Sequence, residues 1–231
     1  MNSARRRGPD RRDPPYRHLM GSRRPIVIIG AGGHGRELLD IVEAANAVAP
    51  QWQFLGFVDD GDADLELLER RGARLLGGIS ELKNLDAEYV IGVGSASARR
   101  AIDARCRGFG IGAAVLIHPS ASLGSDITYA EGLVVAAHVS ITTNIRIGCH
   151  VHFNRNSTMG HDSRVGDYAT VNPGANISGN VCLDDDVTIG TGASIVQGRR
   201  IGARSTIGAG AVVTKDVPSD STAVGVPARW N

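Results

Sequence analysis

Apolar and polar positions repeat every six residues along residues 121–216. In rows of six, the third position is apolar in all 16 rows, although only 42% of the chain is hydrophobic. The first position is small or aliphatic in every row except that of Arg199, and the fourth is often Gly, Asn or Asp. The period predicts short strands with one inward side chain each, joined by turns with positive φ at the fourth position. One row cannot bury its apolar residue alone, so the rows are predicted to stack into a solenoid.

The pattern upstream of the repeat is different, because β-branched runs alternate there with segments of helical spacing. Strands are predicted at 25–30, 54–58 and 89–94, helices at 36–47, 65–71 and from 95 to about 107, and a short strand and a helical turn within 74–85. Alternating strands and helices predict a small parallel α/β sheet. The predicted fold class is therefore α/β plus all-β, with a Rossmann-like parallel α/β domain at 25–118 followed by a hexapeptide-repeat domain at 119–231.

A glycine turn joins the first predicted strand to the first predicted helix. It fits G-x-G-x-x-G through Gly30, Gly32 and Gly35, and Asp59 follows 24 residues after Gly35. Backbone N–H groups at a helix N-terminus suit a pyrophosphate, and an acidic residue after the next strand suits a ribose hydroxyl. The turn could also serve only tight packing, and NAD is less favoured than a nucleotide-linked substrate because no second mononucleotide half follows. His34, inside the turn, could donate to a phosphate or face solvent.

Composition and charge narrow the class of protein. Residues 1–24 are rich in Arg and Pro without an apolar period, which predicts a disordered tail, with contact to nucleic acid or a membrane as the less favoured alternative. The net charge of +1 makes no electrostatic case for a nucleic-acid partner. Three widely spaced cysteines indicate reduced thiols in a cytoplasmic protein, with Cys149 and Cys182 as small packing residues. No apolar run is long enough to predict a membrane span.

One histidine of the repeat has the neighbours that acid–base chemistry needs. His161 follows Met159, which should point inward, so the imidazole is predicted at an outward turn beside Asp162. A neutral imidazole is the usual general base near pH 7, and a carboxylate can hold its tautomer. Gly179 lies 18 residues further on and should stack over His161, where its N–H could face a developing oxyanion. An outward His–Asp pair can equally be surface decoration.

The order of the motifs resembles a known family. GAGGHG, GFVDD, VGVGSASARR, IHPSA, GHD, NPGANISGN and GVPA follow one another between residues 25 and 229, as in sugar acetyltransferases of the sialic-acid O-acetyltransferase type. That family also contains the N-acetyltransferases of nucleotide-linked amino sugars in bacterial glycan synthesis. The resemblance implies a left-handed parallel β-helix of about five 18-residue coils. It also implies a homotrimer with acetyl-CoA between neighbouring β-helices and the sugar nucleotide on the N-terminal domain.

The resemblance also implies residue roles. His161 falls on the general base, Asp162 on its acidic partner and Gly179 on the oxyanion donor. The implied contacts are Asn154, Thr170, Gly179, Thr191 and Ala209 for the coenzyme, and Gly32, Gly33, His34, Asp59, Asp60 and Gly94 for the nucleotide sugar. Some members carry a second histidine in place of Thr170 and Glu in place of Asp162, so the reach of this shorter carboxylate toward His161 is open.

The function expected on these grounds is acetyl-CoA-dependent N-acetylation of a UDP- or GDP-linked 4-amino-deoxy sugar, by direct transfer and without a metal. The alternatives are O-acetylation of sialic acid or a related sugar, and a non-catalytic sugar-nucleotide sensor or scaffold. A zinc hydrolyase of the carbonic-anhydrase type could use His150, His152 and His161 from two subunits. The histidines at 138, 150 and 152 are expected at turn or outward positions. No nucleic-acid or membrane partner is expected.

Overall fold

The computed structural model describes residues 23–230, so nearly all of the predicted Arg-rich tail lies outside the described residues. An N-terminal α/β domain contains strands β1 (Arg24–Ile29), β2 (Trp52–Val58) and β3 (Glu88–Ile91), and helices α1 (Gly33–Val48), α2 (Leu65–Glu69) and α3 (Ala96–Gly108). A 3-10 helix spans Ile79–Asn84. The three strands form a parallel sheet in the order β2-β1-β3. The predicted α/β architecture is confirmed.

Two glycines let α1 approach the sheet closely. A Cβ on Gly35 would lie 1.7 Å from the Gly30 carbonyl oxygen, and one on Gly92 would lie 2.5 Å from the Gly35 Cα. Neither position has room for a side chain, because backbone atoms that cannot move aside fill the space. The last glycine of the motif therefore serves packing between β1, β3 and α1. By contrast, a Cβ on Gly32 or Gly33 would meet no atom within 4 Å.

The repeat forms a left-handed parallel β-helix with three faces. The first face contains Leu116–Ile117, Val134–Val135, His152–Phe153, Thr170–Val171, Thr188–Ile189, Thr206–Ile207 and Thr222–Gly225, followed by the antiparallel strand Ala228–Trp230. The second face contains Ser122–Leu123, Ser140–Ile141, Thr158–Met159, Asn176–Ile177, Ser194–Ile195 and Val212–Val213. The third face contains Ile127–Tyr129, Ile145–Ile147, Arg164–Val165, Cys182–Leu183 and Arg200–Ile201.

The β-helix has about six coils, one more than the expected five. The first face already begins at Leu116, which pairs with Val134 before the first row of the repeat. The last coil is shorter, since Thr206 pairs with Thr222 and not with a residue 18 positions on. Parallel pairing requires only a matching strand on the next coil, so the ends of the solenoid depart from the hexad rule that the middle obeys.

The structure corrects two expectations about the hexad. Most rows bury two side chains and not one, because the first position is buried as well as the third, as in Leu133 and Val135. Positive φ occurs at the sixth position of every row but the last, and not at the fourth. Glycine at the fourth position has a steric reason instead, since a Cβ on Gly190 would lie 2.5 Å from the Ile207 oxygen of the next coil. Tyr129 is the exposed exception in the third column, at 46%.

The prism has three corners, one between each pair of successive faces. The first–second corner contains residues 154–157, the second–third corner 160–163 and the third–first corner 148–151, each with its equivalents 18 residues away. The α/β domain packs on the first face and on the two corners beside it. Its exposed links include Glu37 with Arg155 at the first–second corner, and Arg100 with Asp186 and Arg107 with Glu131 at the third–first corner.

Candidate active site

The carboxyl ends of β1, β2 and β3 form one edge of the α/β sheet, which we call the nucleotide edge after the nucleotide contacts that the sequence resemblance implies there. Gly32 and Gly33 lie there at the start of α1, and Gly94 follows β3. Asp59 follows β2, and its carboxylate accepts the Ala31 N–H at 2.7 Å and the Gly61 N–H at 2.9 Å. The Asp59 side chain therefore fastens the glycine turn to the end of β2. The structure brings these four predicted residues to one edge, as expected for parallel strands.

Asp60 has a different environment from Asp59. Its Oδ1 accepts the Ile79 N–H at 2.8 Å, and its Oδ2 lies 2.6 Å from Arg105 Nη1. These two hydrogen bonds, that from Arg105 first, lower the pKa of Asp60. The carboxylate is thus held by the start of the 3-10 helix and by α3, and it has fewer free lone pairs for a substrate than the sequence suggested.

His34 does not face the nucleotide edge with its side chain. Its Nε2 lies 3.0 Å from His152 Nδ1 on the first face of the β-helix, and its Nδ1 lies 3.5 Å from Glu37. Burial lowers the pKa of His34, although Glu37 opposes that effect. The ring is partly buried, at 21% exposure, and joins the α/β domain to the first face of the β-helix.

His161 lies at the second–third corner with its carboxylate partner in place. Its Nδ1 is 2.7 Å from Asp162 Oδ2, and Asn144 Nδ2 donates to Asp162 Oδ1 at 2.6 Å. Hydrogen bonds from His161 and then from Asn144 lower the pKa of Asp162. With Nδ1 donating to the carboxylate, Nε2 is the nitrogen left to accept a proton. Asp162 adopts φ of 60°, and this backbone turns the shorter side chain back onto the ring.

Gly179 stacks on His161 one coil further along. A Cβ on Gly179 would lie 2.6 Å from His161 Nε2, so only glycine leaves the ring in its present place. Within residues 23–230 the Gly179 N–H has no hydrogen-bond acceptor. Corner positions of neighbouring coils share that property, and what distinguishes Gly179 is the imidazole beside it. A basic nitrogen and an unused backbone donor therefore adjoin each other.

The residues implied for the coenzyme lie elsewhere on the prism. Asn154 is partly buried at the first–second corner and borders a cleft of about 200 Å³ between α1 and the β-helix. Thr191 and Ala209 are exposed at the same corner, on successive coils. Thr170 does not belong with them, because it is 3% exposed and its hydroxyl accepts a hydrogen bond from Arg99 at 2.7 Å. Burial beneath the α/β domain removes Thr170 from contact with a coenzyme.

His161 and the nucleotide edge do not meet within one chain. Among residues 23–230, no hydrogen bond or ion pair joins the α/β domain to the second–third corner. A single chain therefore keeps the candidate base apart from the nucleotide edge.

Comparison with known proteins gives consistent matches over both domains. Residues 25–105 match the family described as the PglD N-terminal domain. The GDP-perosamine N-acetyltransferase of Escherichia coli O157:H7 is 33% identical over 150 residues, which span 64% of this chain and 66% of that protein, just under two thirds. PerB from Caulobacter crescentus, solved with CoA and GDP-perosamine, superposes with a TM-score of 0.82 and 28% identity, over 90% of this chain and 97% of that one.

A third relative covers nearly the whole of both chains. The acetyltransferase domain of PglB from Neisseria gonorrhoeae is 30% identical and has a TM-score of 0.80, over 90% of this chain and 100% of that domain. The chain belongs to the hexapeptide-repeat sugar N-acetyltransferases. Membership of this family explains why an α/β domain is followed by a β-helix. The two candidate parts of the site are the second–third corner with His161 and the nucleotide edge.

Sequence patterns alone do not identify several residues that support the site. Asn144 supports Asp162 and was detectable, because it lies 18 residues earlier in the same column. Arg99 is fully buried, which the spacing of a predicted surface helix does not reveal. His150 and His152 do lie at a turn and at an outward position of the β-helix, but both are 0% exposed because the α/β domain covers them. A position that points out of the β-helix becomes interior wherever another domain covers that face.

The buried histidines belong to a network between the domains. Asp103 of α3 accepts hydrogen bonds from Tyr89 at 2.6 Å and from Tyr168 of the β-helix at 2.5 Å. Burial alone would raise the pKa of Asp103, but these hydrogen bonds and one from Arg107 hold it below its usual value. His150 stacks against Tyr168, with 5.5 Å between ring centroids, and its Nε2 lies 2.9 Å from Asp103 in an orientation that makes no hydrogen bond. The network fixes how the domains dock.

In the described range 23–230, no group of three or more His, Cys, Asp or Glu side chains converges as a metal site would. None of the helices that the structure describes combines the length and apolarity that a membrane crossing requires.

Proposed function

We propose that the protein transfers the acetyl group of acetyl-CoA to the amino group of a nucleotide-linked amino sugar. The observation that carries this proposal is the corner where His161 Nε2, its Asp162-bonded Nδ1 and the unused Gly179 N–H occur together. The nucleotide edge of the α/β domain supplies a second site, for an anionic nucleotide. Two of the three named relatives carry GDP-perosamine in their descriptions, one as its N-acetyltransferase and one as a structure solved with it, which favours a GDP-linked amino sugar over a UDP-linked one.

The residues support direct transfer. His161 Nε2 removes a proton from the attacking amine, and Asp162 holds the ring in the required tautomer and stabilises the imidazolium that forms. The amine attacks the thioester carbonyl, whose oxygen becomes negative and is met by the Gly179 N–H. The C–S bond of the intermediate then breaks, the His161 imidazolium gives its proton to the departing sulfur and CoA leaves as its thiol, so no acyl-enzyme is needed. The cysteines do not offer a rival nucleophile, since burial raises the pKa of the Cys149 and Cys106 thiols to about 11.

We propose further that the working unit is a homotrimer whose sites lie between subunits. The coenzyme residues Asn154, Thr191 and Ala209 and the base His161 occupy the two corners that flank the second face. The outward residues of that face are small and uncharged: Ser122, Ser140, Thr158, Asn176, Ser194 and Val212. The first face is covered by the chain's own α/β domain, and the third carries arginines at 146, 164 and 200. The second face therefore suits close packing of another copy.

A shared site can be tested by complementation. His161→Ala abolishes the base of one chain, and Asp59→Ala loosens the nucleotide edge of the other while leaving its histidine intact. Neither variant alone should turn over substrate at more than about 1% of the wild-type rate. Mixed trimers from co-expression should recover up to about a quarter of the wild-type rate. In a random mixture about half of the chains carry an intact His161 and the other half an intact nucleotide edge, so about one interface in four combines the two. Activity that stays absent in mixed trimers would place the whole site in one chain.

The reaction itself is tested by thiol release from acetyl-CoA. GDP- and UDP-linked 4-amino sugars, CMP-sialic acid and free sialic acid form the panel, and mass spectrometry identifies the acetylated atom. Acetylation of an amine supports the proposal, whereas acetylation of a sialic acid hydroxyl keeps the site but changes the acceptor. Light scattering should give three times the 24.3 kDa chain mass, and a monomer would contradict the trimer.

The zinc and scaffold hypotheses receive less support. In the zinc hypothesis His150 and His152 would meet His161 of a second subunit, but both rings are fully buried under the α/β domain of their own chain. A non-catalytic scaffold would leave the Asp162 hydrogen bond and the glycine beside Nε2 without a purpose. We place the reaction in the cytoplasm, because acetyl-CoA is its co-substrate and all three cysteines are unpaired.

A further inference from the structure

Arg99 is a buried cation without a carboxylate partner. It lies in α3, is 0% exposed and forms no ion pair within the described residues. Burial lowers the pKa of Arg99 to about 10, so the guanidinium still carries its charge at neutral pH. Burying a charge lowers the stability of the fold unless hydrogen bonds satisfy it. An arginine at this position therefore indicates a role that an apolar side chain of the same size could not fill.

The guanidinium is satisfied entirely by neutral oxygens of two separate segments. Two acceptors belong to the loop after β3: the Val93 carbonyl at 3.0 Å and the Gly94 carbonyl at 2.8 Å. The other acceptors belong to the β-helix: the carbonyls of His150, Tyr168 and Ala169 at 3.3, 2.5 and 3.3 Å, and the Thr170 hydroxyl at 2.7 Å. The planar five-donor fork of arginine can hold both segments at once, which no other side chain can do.

The loop that Arg99 holds is part of the nucleotide edge. In a trans peptide the N–H points opposite to the C=O of the same unit. Fixing the Val93 and Gly94 carbonyls toward Arg99 therefore turns the N–H groups of Gly94 and Ser95 the other way. Neither N–H has an acceptor within residues 23–230, and no atom lies within 4 Å of a Cβ built on Gly94. The Gly94 and Ser95 N–H groups are therefore two oriented donors without a partner in the described chain, and backbone donors of this kind bind phosphate or ribose oxygens.

We propose that Arg99 is a positioning residue for the nucleotide part of the substrate. It aims the Gly94 and Ser95 N–H groups at the nucleotide and holds their loop at a set distance from the β-helix. This inference rests on the proposed function, because it assumes that a nucleotide sugar binds at this edge. It assigns Arg99 to binding of the nucleotide and not to binding of acetyl-CoA or to proton transfer.

The neighbouring residue provides a matched control. Arg100 lies on the same helix and also reaches the β-helix, with Nη2 2.7 Å from Asp186, but it is 44% exposed and does not contact the loop after β3. Arg100→Ala breaks a link between the domains and leaves the two carbonyls undisturbed. Any effect that is special to Arg99 must therefore come from the loop.

The test compares steady-state kinetics of wild type, Arg99→Lys, Arg99→Met and Arg100→Ala. Arg99→Met should raise the KM for the nucleotide sugar by about 10-fold or more, and Arg99→Lys by an intermediate amount, because a single ammonium cannot hold both segments. The KM for acetyl-CoA should stay within about 2-fold in all variants, and Arg100→Ala should resemble wild type. Equal increases in both KM values, or an equal effect of Arg100→Ala, would overturn the inference.

Failures of folding and of the proposed function can be told apart. If Arg99 variants do not fold, Thr170→Val removes one anchor of the guanidinium at constant volume. Calorimetry with GDP, which carries no amine to acetylate, should then show about 3- to 10-fold weaker binding to Thr170→Val than to wild type. Unchanged binding would overturn the inference. Wild-type protein that binds no nucleotide would contradict the proposed function itself. Wild-type activity together with unchanged KM values in Arg99 variants would contradict only the role of Arg99.

Discussion

Replacing Gly179 by alanine should disable the candidate base without unfolding the β-helix. The new Cβ would lie 2.6 Å from His161 Nε2, whereas ordinary contact begins near 3.4 Å, so the nitrogen must retreat by about 0.8 Å. The ring is 49% exposed and can swing outward at little cost in stability. That movement breaks the 2.7 Å hydrogen bond to Asp162 and removes Nε2 from the acceptor amine. A displacement of this size costs about 100-fold in kcat, or about 2.7 kcal/mol of activation free energy.

The assay is kcat from thiol release, with melting temperature as the check on folding. Gly112→Ala is the matched control, because a Cβ there meets no atom within 4 Å, and it should leave kcat unchanged. A double-mutant cycle adds the decisive comparison. When His161 is already alanine, adding Gly179→Ala should lower kcat by less than about 2-fold further, because the ring that the new methyl group would displace is absent. A Gly179→Ala enzyme within about 3-fold of wild type, or a full additional loss in the double variant, would refute the reasoning.

Three further outcomes follow from the same contacts. Asp162→Asn should lower kcat at least about 10-fold with little change in KM, because the ring loses the carboxylate that holds its tautomer; unchanged kcat would contradict this role. Asp103→Ala should lower the free energy of unfolding by about 3–5 kcal/mol in denaturant titrations, since it leaves two tyrosine hydroxyls unpaired. Burial lowers the pKa of His150 and His152 below the ordinary value of 6.5. Below pH 6.5 these two histidines are therefore protonated in the unfolded chain while they stay neutral in the folded one. Stability should therefore fall from pH 6.5 downward, by about 1.4 kcal/mol per pH unit for each such histidine, and a constant melting temperature between pH 8 and 5 would contradict it.

Periodic and local features were accessible from the sequence alone. The hexad pattern predicted the β-helix, because inward positions must be apolar on every coil, and coil arithmetic placed Gly179 over His161. The glycine turn and the runs of β-branched residues predicted the α/β domain and the edge where Gly32, Gly33 and Asp59 meet. The His161–Asp162 pair is adjacent in sequence, so its contact needed only the local turn at Asp162.

Contacts between the two domains were decided only by the tertiary structure. The hexad rule assigns His150, His152 and Thr170 to positions that point out of the prism, and it contains no information on which face another domain covers. Docking of the α/β domain converts these positions into an interior and buries Arg99 among them. Steric fit between coils also selects glycine at the fourth position, where the sequence suggested a turn. Periodicity reports whether a side chain points toward its own core, whereas burial under a separate domain depends on the shape and charge of both surfaces.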